Sequence, residues 1–168
     1  ERDASAPGST VAVPMEGTRP LLVEVQALVS PTAYALPRRL ATGFDVNRLN
    51  MLLAVLSRRA GIGLASHDVY LNVVGGLRLR EPAVDLAVAL AVASSERGVA
   101  ADAHIVAIGE IGLAGELRSV PSMPQRVREA RRMGFEKCLV PAGRNGQAQE
   151  DGAVGAANLR AALDVALS

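Results

Sequence analysis

Apolar and polar residues alternate with a period of two in several short stretches of the chain. The clearest alternation spans 21–29, where Glu24 and Gln26 interrupt an apolar face formed by Leu21, Val23, Val25, Ala27 and Val29. This period is typical of a strand that buries one face. Similar patterns predict further strands at 10–14, 69–73, 104–108, 116–120 and 137–140.

A period of 3.6 predicts three amphipathic helices. The first is 46–60, with Asp45 as its N-terminal cap and Gly61 at its end, which are the residue types preferred at those positions. The others are 123–133 and a closing helix at 156–167. We expect irregular connections at 30–43 and 141–155, because prolines, glycines and polar residues concentrate there.

The stretch from Val73 to Ser95 contains a helix that is apolar on every side. Such a helix must be buried all round, so we expect it at the centre of the fold. Pro82 and Asp85 indicate its start, since proline suits the first helical position and a carboxylate favours the positive end of the helix dipole.

Strands and helices alternate without internal repeats, which predicts an α/β or α+β fold with a mixed sheet packed with helices. Residues 1–9 are polar and contain Ala, Ser, Pro and Gly, so we expect a flexible lead-in from a longer protein. The remainder, 10–168, is long enough for one domain, and no second boundary is evident.

Composition narrows the possible classes of protein. The chain has 168 residues, of which 49% are hydrophobic but only 2% aromatic, so Ala, Val and Leu must build the core. A net charge of +1 excludes polyanion binding by bulk charge alone. The sequence lacks an apolar run of membrane-spanning length and a signal peptide. Its one cysteine, Cys138, fits a reducing compartment, and we expect a cytoplasmic protein.

Most catalytic and cofactor motifs are missing from the sequence. It has neither a P-loop nor a complete glycine fingerprint for dinucleotides. His67, His104 and Cys138 do not have the spacing of metal ligands. A Ser–His–Asp hydrolase would need a nucleophile elbow, which is also missing. The remaining candidate is a Ser–Lys dyad, in which a lysine of lowered pKa deprotonates a serine at a helix start.

The strand–glycine–helix unit at 69–95, with the following GEIGLAGELRSV hairpin and helix, resembles the proteolytic domain of Lon-type proteases. That resemblance implies a fold of the ribosomal protein S5 domain 2-like type. It also places the catalytic serine at Ala83, which has no hydroxyl, and the lysine at Pro124. Lys137, the only lysine, lies well downstream, and arginine cannot replace it as a base. The resemblance therefore implies a Lon-like domain without the catalytic dyad.

A narrower resemblance covers nearly the whole chain. The phrases RPLLVEVQALV, PRRLATGFDVNRLNMLLAVLSRRAG, DVYLNVVGGLRL and EPAVDLAVALAVASS resemble the C-terminal domain of the RadA (Sms) family of bacterial DNA-repair proteins. This implies a longer protein with a zinc finger and a RecA-like ATPase core that drives branch migration in homologous recombination as a hexameric ring. We expect ATP, Mg and Zn to belong only to those upstream domains, and no cofactor in this one.

The resemblance leaves three hypotheses for this domain. One is self-association into the ring through apolar residues such as Met51, Val55 and 34–36. Another is sequence-independent contact with DNA phosphates, for which the candidates are Arg38, Arg39, Arg48, Arg58, Arg59, Arg118 and Arg126. All cationic side chains except Lys137 are arginines. Because a GC-rich genome also favours arginine over lysine, this composition alone does not show that the chain binds DNA. The third is a residual peptidase that uses Ser119 or Ser122.

Overall fold

A computed structural model describes residues 5–143 and 152–168. The strands are β1 Ser9–Ala12, β2 Met15–Glu16, β3 Arg19–Pro20, β4 Val23–Pro31, β5 Arg39–Thr42, β6 His67–Val73, β7 Ile105–Ala107, β8 Glu110–Ile111, β9 Leu117–Arg118, β10 Lys137–Pro141 and β11 Ala153–Ala156. The helices are α1 Val46–Ala60, α2 Asp85–Arg97, α3 Met123–Arg132 and α4 Leu159–Ala166.

Within the described ranges, seven strands form one sheet in the order β11-β10-β7-β1-β4-β6-β5. The pairs β11–β10, β10–β7, β7–β1 and β6–β5 are parallel. The pairs β1–β4 and β4–β6 are antiparallel. Two small ribbons, β2–β3 and β8–β9, lie outside this sheet. The prediction of a mixed α/β fold with a mixed sheet is confirmed.

Helix α1 has the bounds that the sequence predicted. The Asp45 side chain accepts a hydrogen bond from the Asn47 amide, and Gly61 adopts φ 71° at the C-terminus, a left-handed conformation that glycine adopts without steric cost. Val55 is buried in the core. Its predicted role in self-association is therefore wrong, because its surface is already covered within the chain. Met51 is partly buried against the same core.

Helix α2 is the centre of the fold, as its all-apolar sequence predicted. A 3₁₀ turn at Pro82–Val84 leads into it, and every residue from Asp85 to Ser94 is buried. It packs mainly on β4 and β1, where the Thr10 hydroxyl donates to the Ala87 carbonyl at 2.7 Å. The predicted lead-in contacts it too, since the Gly8 amide donates to Ser94 Oγ. Residues 1–4 lie outside the described residues.

The sheet separates two apolar layers. Successive strand residues point to opposite faces, so Ala12, Ala107 and Leu139 join the large core with α1, α2 and α4. Their neighbours join a smaller cluster that includes Val127 and Ala130 of α3. Helix α3 therefore covers the opposite face near β10, while Leu28 of β4 and Leu40 of β5 remain 60% and 54% exposed.

Two predicted connections contain strands. Residues 39–42 form β5, which pairs in parallel with β6 at the edge of the sheet, and residues 153–156 form β11 beside β10. Residues 144–151 of the second connection lie outside the described residues. The closing helix begins at Leu159, later than predicted, because 153–156 is extended. Both strands are short edge strands whose hydrogen bonds come from distant neighbours, which local patterns do not reveal.

The longest helix in the described ranges is α1, with 15 residues. None of the helices there is long and apolar enough to cross a bilayer, for which about 20 apolar residues are needed.

Candidate functional site

Ala83 lies at the entrance to α2, where the predicted catalytic serine position falls. Its side chain is buried and its carbonyl accepts a hydrogen bond from the Gly109 amide at 2.9 Å. It lines a cavity of about 350 Å³, which we call the dyad cavity. The cavity is bounded by Met15, Gly17, Glu81, Pro82, Ala83, Glu110, Ser119, Val120, Pro121, Ser122 and Arg126. A methyl group therefore lines the cavity at the position that the resemblance to Lon-type proteases assigned to the serine.

Arg126 is one of the residues that line the dyad cavity, and it is only 3% exposed. Its Nε donates to the Pro121 carbonyl at 2.9 Å, its Nη1 donates to the Val13 carbonyl at 2.8 Å, and it forms an ion pair with Glu81. These internal acceptors occupy the guanidinium, so the prediction that Arg126 contacts DNA phosphates is corrected. Helical spacing contained the signal, since Arg126 lies three residues after Met123 and four before Ala130, on the inward face of α3.

The groups of a Ser–Lys dyad are not brought together. Ser119 and Ser122 line the dyad cavity, and Ser122 adopts the left-handed conformation with φ 63°. Pro124 is exposed on the first turn of α3. Lys137 lies at the start of β10, where its Nζ is 3.4 Å from Asp102 Oδ2.

Arg38 and Arg39 lie at the edge of the large sheet. The Arg38 guanidinium stacks 4.0 Å from the centroid of the Tyr34 ring and remains exposed. Its backbone amide donates to Asp68 Oδ1 at 2.7 Å, and this hydrogen bond lowers the pKa of Asp68. Arg39 is partly buried and donates from Nη2 to the Leu64 carbonyl at 2.7 Å. Arg38 is therefore more available to an external anion than Arg39.

Three further candidates lie near the end of α1 and on β9. Arg58 is exposed on the last turn of α1. Arg59 donates from Nε to the Leu113 carbonyl at 3.3 Å, across the turn between β8 and β9. Arg118, on β9, is exposed and pairs with Glu116 at 2.9 Å. All three reach solvent, although Arg59 and Arg118 also have partners within the chain.

Arg48 forms a bidentate ion pair with Asp85. Its Nε lies 2.6 Å from Oδ1 and its Nη2 lies 2.5 Å from Oδ2, and the Ile111 amide donates to Oδ2 at 3.1 Å. Asp85 is fully enclosed while the Arg48 side chain is 29% exposed. Burial raises the pKa of Asp85, against the opposing effect of Arg48, and the bond to Asp85 raises the pKa of Arg48. For Asp85 the effect of burial on the pKa exceeds that of Arg48, whereas for Arg48 the hydrogen bond to Asp85 exceeds the effect of burial.

A second cleft, of about 600 Å³, lies beside Arg48. We call it the arginine cleft, and its lining residues are Gly43, Phe44, Asp45, Asn47, Arg48, Met51, Arg78, Leu79 and Arg80. Arg78 and Arg80 were not among the arginines predicted to contact DNA. The sequence contains a pattern that predicts their exposure, because they flank the apolar Leu79. In an extended segment, a buried residue has both of its neighbours on the opposite, exposed side.

Comparisons with known proteins identify relatives across most of the chain. A family model described as subunit ChlI of Mg-chelatase matches residues 48–144. The DNA repair protein RadA of Halalkalibacterium halodurans is 52% identical over 141 residues, which cover 84% of this chain and 31% of that protein. The DNA repair protein RadA of Bacillus subtilis is 46% identical over 170 residues, covering 99% of this chain and 37% of that protein.

The chain thus spans about a third of the length of the curated relatives it matches. The DNA repair protein RadA of Synechocystis shows the same proportions, with 50% identity over 86% of this chain and 29% of that protein. The chain belongs to the family described as subunit ChlI of Mg-chelatase, and its identity to these relatives supports its placement in the RadA family.

Proposed function

We propose that the chain is the Lon-protease-like C-terminal domain of a RadA-type DNA-repair protein acting in homologous recombination and branch migration. The support is its identity of 46–52% to DNA repair proteins named RadA and its mixed α/β fold around a buried central helix. In this proposal the fold is of the ribosomal protein S5 domain 2-like type. ATP, Mg and Zn bind to other parts of the longer protein, which acts in the cytoplasm.

The observation that carries the non-proteolytic assignment is the composition of the dyad cavity. Acyl transfer by a dyad requires a hydroxyl and a base that is unprotonated near neutral pH, so that it can accept the hydroxyl proton. Ala83 has no hydroxyl, and the cation that lines the cavity is Arg126. An arginine guanidinium does not act as a general base. Its ion pair with Glu81 and its bonds to two carbonyls hold it as a structural group. The domain therefore retains the cavity as a scaffold.

A residual peptidase is the alternative, since Ser119 and Ser122 line the same cavity. A fluorophosphonate probe tests it, because such probes label activated serines. We expect no labelling of the folded chain above that of a heat-denatured sample. Labelling that disappears in Ser119→Ala or Ser122→Ala would establish the peptidase and refute the scaffold assignment.

We further propose that exposed arginines bind DNA phosphates without base specificity. Arg38 and Arg58 are exposed, and Arg58 has no hydrogen bond or ion pair to another described side chain. Binding of fluorescein-labelled DNA to Arg38→Glu/Arg58→Glu is measured by anisotropy over a salt series. We expect weaker binding and a shallower salt dependence, since each lost phosphate contact lowers the slope by about 0.7–0.9. Arg128→Glu, on the exposed face of α3, is the control, and an equal effect there would contradict the assignment.

The last part of the proposal is assembly into a ring, probed at the unpaired edge of the sheet. Leu36 is 81% exposed beside β5, and Leu40 lies on β5 itself. Sedimentation velocity at micromolar concentration measures the assembly. We expect an oligomer that Leu36→Asp/Leu40→Asp dissociates, while Leu113→Asp, at an exposed position on the β8–β9 turn, leaves it intact. A monomeric parent chain would refute this part alone.

A further inference from the structure

We infer that the dyad cavity binds an extended, uncharged segment of a partner protein and holds it without cleavage. This inference rests on the proposed absence of peptidase activity and adds a ligand to the cavity. Two segments outside the large sheet line the cavity, 81–83 before α2 and 119–122 between β9 and α3. Its volume of about 350 Å³ is in the range of ligand sites in proteins.

The buried cation of the cavity has one nitrogen without a partner. Nε and Nη1 form all the hydrogen bonds of the Arg126 guanidinium to described residues. Nη2 forms none of them, and it is not among the fully enclosed atoms that lack a partner. Its two N–H groups therefore remain accessible from the cavity, at a position that the bonds of Nε and Nη1 fix. A buried donor without an acceptor is unfavourable, which indicates an acceptor from outside the chain.

The acceptor that fits Nη2 is uncharged. Glu81 forms an ion pair with Arg126, so the charge of the guanidinium is balanced within the chain. A second carboxylate, that of Glu110, lines the same cavity, and the lining residues then contain two acids and one cation. An anionic ligand would be repelled by this excess of negative charge, whereas a peptide carbonyl accepts the same hydrogen bond without a charge.

The backbone that lines the cavity offers donors and acceptors for a strand. After β9, which pairs with β8, the chain continues through Ser119 and Val120 outside any helix or strand. Within the described part of the chain, the amides and carbonyls of these two residues form no backbone hydrogen bond. Unpaired groups that continue an existing strand are a template for the addition of a peptide strand.

The remaining lining groups determine which side chains fit. Several apolar residues line the cavity, namely Met15, Pro82, Ala83, Val120 and Pro121. Small apolar side chains match these surfaces and the limited volume, whereas Asp or Glu in the ligand would be repelled by Glu81 and Glu110. Because Ala83 has no hydroxyl, its position provides no nucleophile, and the bound segment is released intact.

The test measures the binding of a short peptide by fluorescence anisotropy. The probe is a fluorescein-labelled KAVAVAK amide, in which the terminal lysines maintain solubility and the central residues are small and apolar. A matched probe carries N-methyl groups on its alanines, so it has the same side chains and charge but fewer backbone N–H donors. We expect the N-methylated probe to bind at least ~10-fold more weakly, because several backbone hydrogen bonds are lost.

Variants of the chain locate the binding site. Ser119→Trp places an indole at an exposed position that lines the cavity, and Ser66→Trp makes the same change at an exposed position outside it. We expect Ser119→Trp to weaken binding by at least ~10-fold and Ser66→Trp to leave it unchanged. Arg126→Lys keeps a positive charge opposite Glu81 but lacks Nη2, so we expect weaker binding there too. Circular dichroism confirms that the variants are folded, and the comparison of the two probes on the parent chain does not depend on them.

The outcomes separate the ligand from the proposed function. Absence of saturable binding, equal binding of the two probes, or equal losses in the two tryptophan variants overturns the inference and leaves the scaffold assignment intact. Mass spectrometry of the probe after incubation detects cleavage. An intact bound probe supports the inference, whereas cleavage that disappears in Ser119→Ala or Ser122→Ala refutes the non-proteolytic function and the inference together. Displacement of the probe by acetate or free alanine at low millimolar concentration identifies a small-molecule site and overturns the peptide assignment.

Discussion

The ion pair between Arg48 and Asp85 allows an asymmetric prediction about stability. Asp85 is fully enclosed, and two of the three hydrogen bonds to its carboxylate come from Arg48. Arg48→Met retains the apolar stem and removes both bonds, leaving the Ile111 amide as the remaining donor. Removal of one partner from a buried ion pair costs about 3–5 kcal/mol. Because the Arg48 side chain is 29% exposed, water can reach the carboxylate. We therefore expect the free energy of unfolding to fall by ~3 kcal/mol, the lower end of that range.

Substitution of the other partner, Asp85, should lower the free energy of unfolding by less. Asp85→Asn preserves the shape of the side chain and leaves an Arg48 that already reaches solvent, so we expect a loss of about 1–2 kcal/mol. The double variant should be more stable than the sum of the two losses predicts, since it removes the uncompensated charge. Urea unfolding followed by circular dichroism gives the four free energies of unfolding for this cycle.

The effect of Arg48→Met should depend on pH in a defined direction. Burial raises the pKa of Asp85, and without Arg48 that pKa rises further above the unfolded value. Between the two pKa values the folded chain holds a proton that the unfolded chain has released, so stability falls as pH rises through this window. The deficit relative to the parent chain should therefore be smaller at pH 5 than at pH 8. A deficit independent of pH, or a larger loss in Asp85→Asn, would refute this account.

Three further predictions follow from single sites. Burial raises the pKa of Cys138 to about 11, so at pH 8 a disulfide reagent followed by absorbance should react slowly with the folded chain and quickly in urea; fast native reaction would contradict the burial. Gly43→Ala should lower the free energy of unfolding in urea by at least about 1–3 kcal/mol, because its Cβ would meet the Leu77 carbonyl at 2.5 Å; an unchanged midpoint would contradict the close approach. The hydrogen bond from the Arg38 amide lowers the pKa of Asp68 in the folded chain. The Asp68 carboxylate therefore stabilises the fold above its unfolded-state pKa, and this stabilisation is lost as pH falls through its folded-state pKa. Asp68→Asn should reduce the loss of stability at acidic pH, which is measured by urea unfolding followed by circular dichroism.

The sequence by itself determined the local elements and the central helix. Asp45 and Gly61 set the ends of α1 because capping depends on hydrogen bonds between residues a few positions apart. The apolar run of α2 required burial on all sides, and in the structure every residue from Asp85 to Ser94 is buried. At the dyad cavity, the sequence already shows that Ala83 has no hydroxyl, since a missing functional group is visible in the residue itself.

Only the tertiary structure decided which charged groups meet. Arg48 and Asp85 lie 37 positions apart, and the arginine cleft joins residues before and in α1 to a loop after β6. The sequence predicted Arg126 to contact DNA, yet its guanidinium is enclosed between carbonyls and Glu81. Local periodicity reports which side of an element is apolar. The partner of a charge and its exposure to solvent depend on packing between distant segments, which determines whether an arginine stabilises the fold or remains available to bind a phosphate.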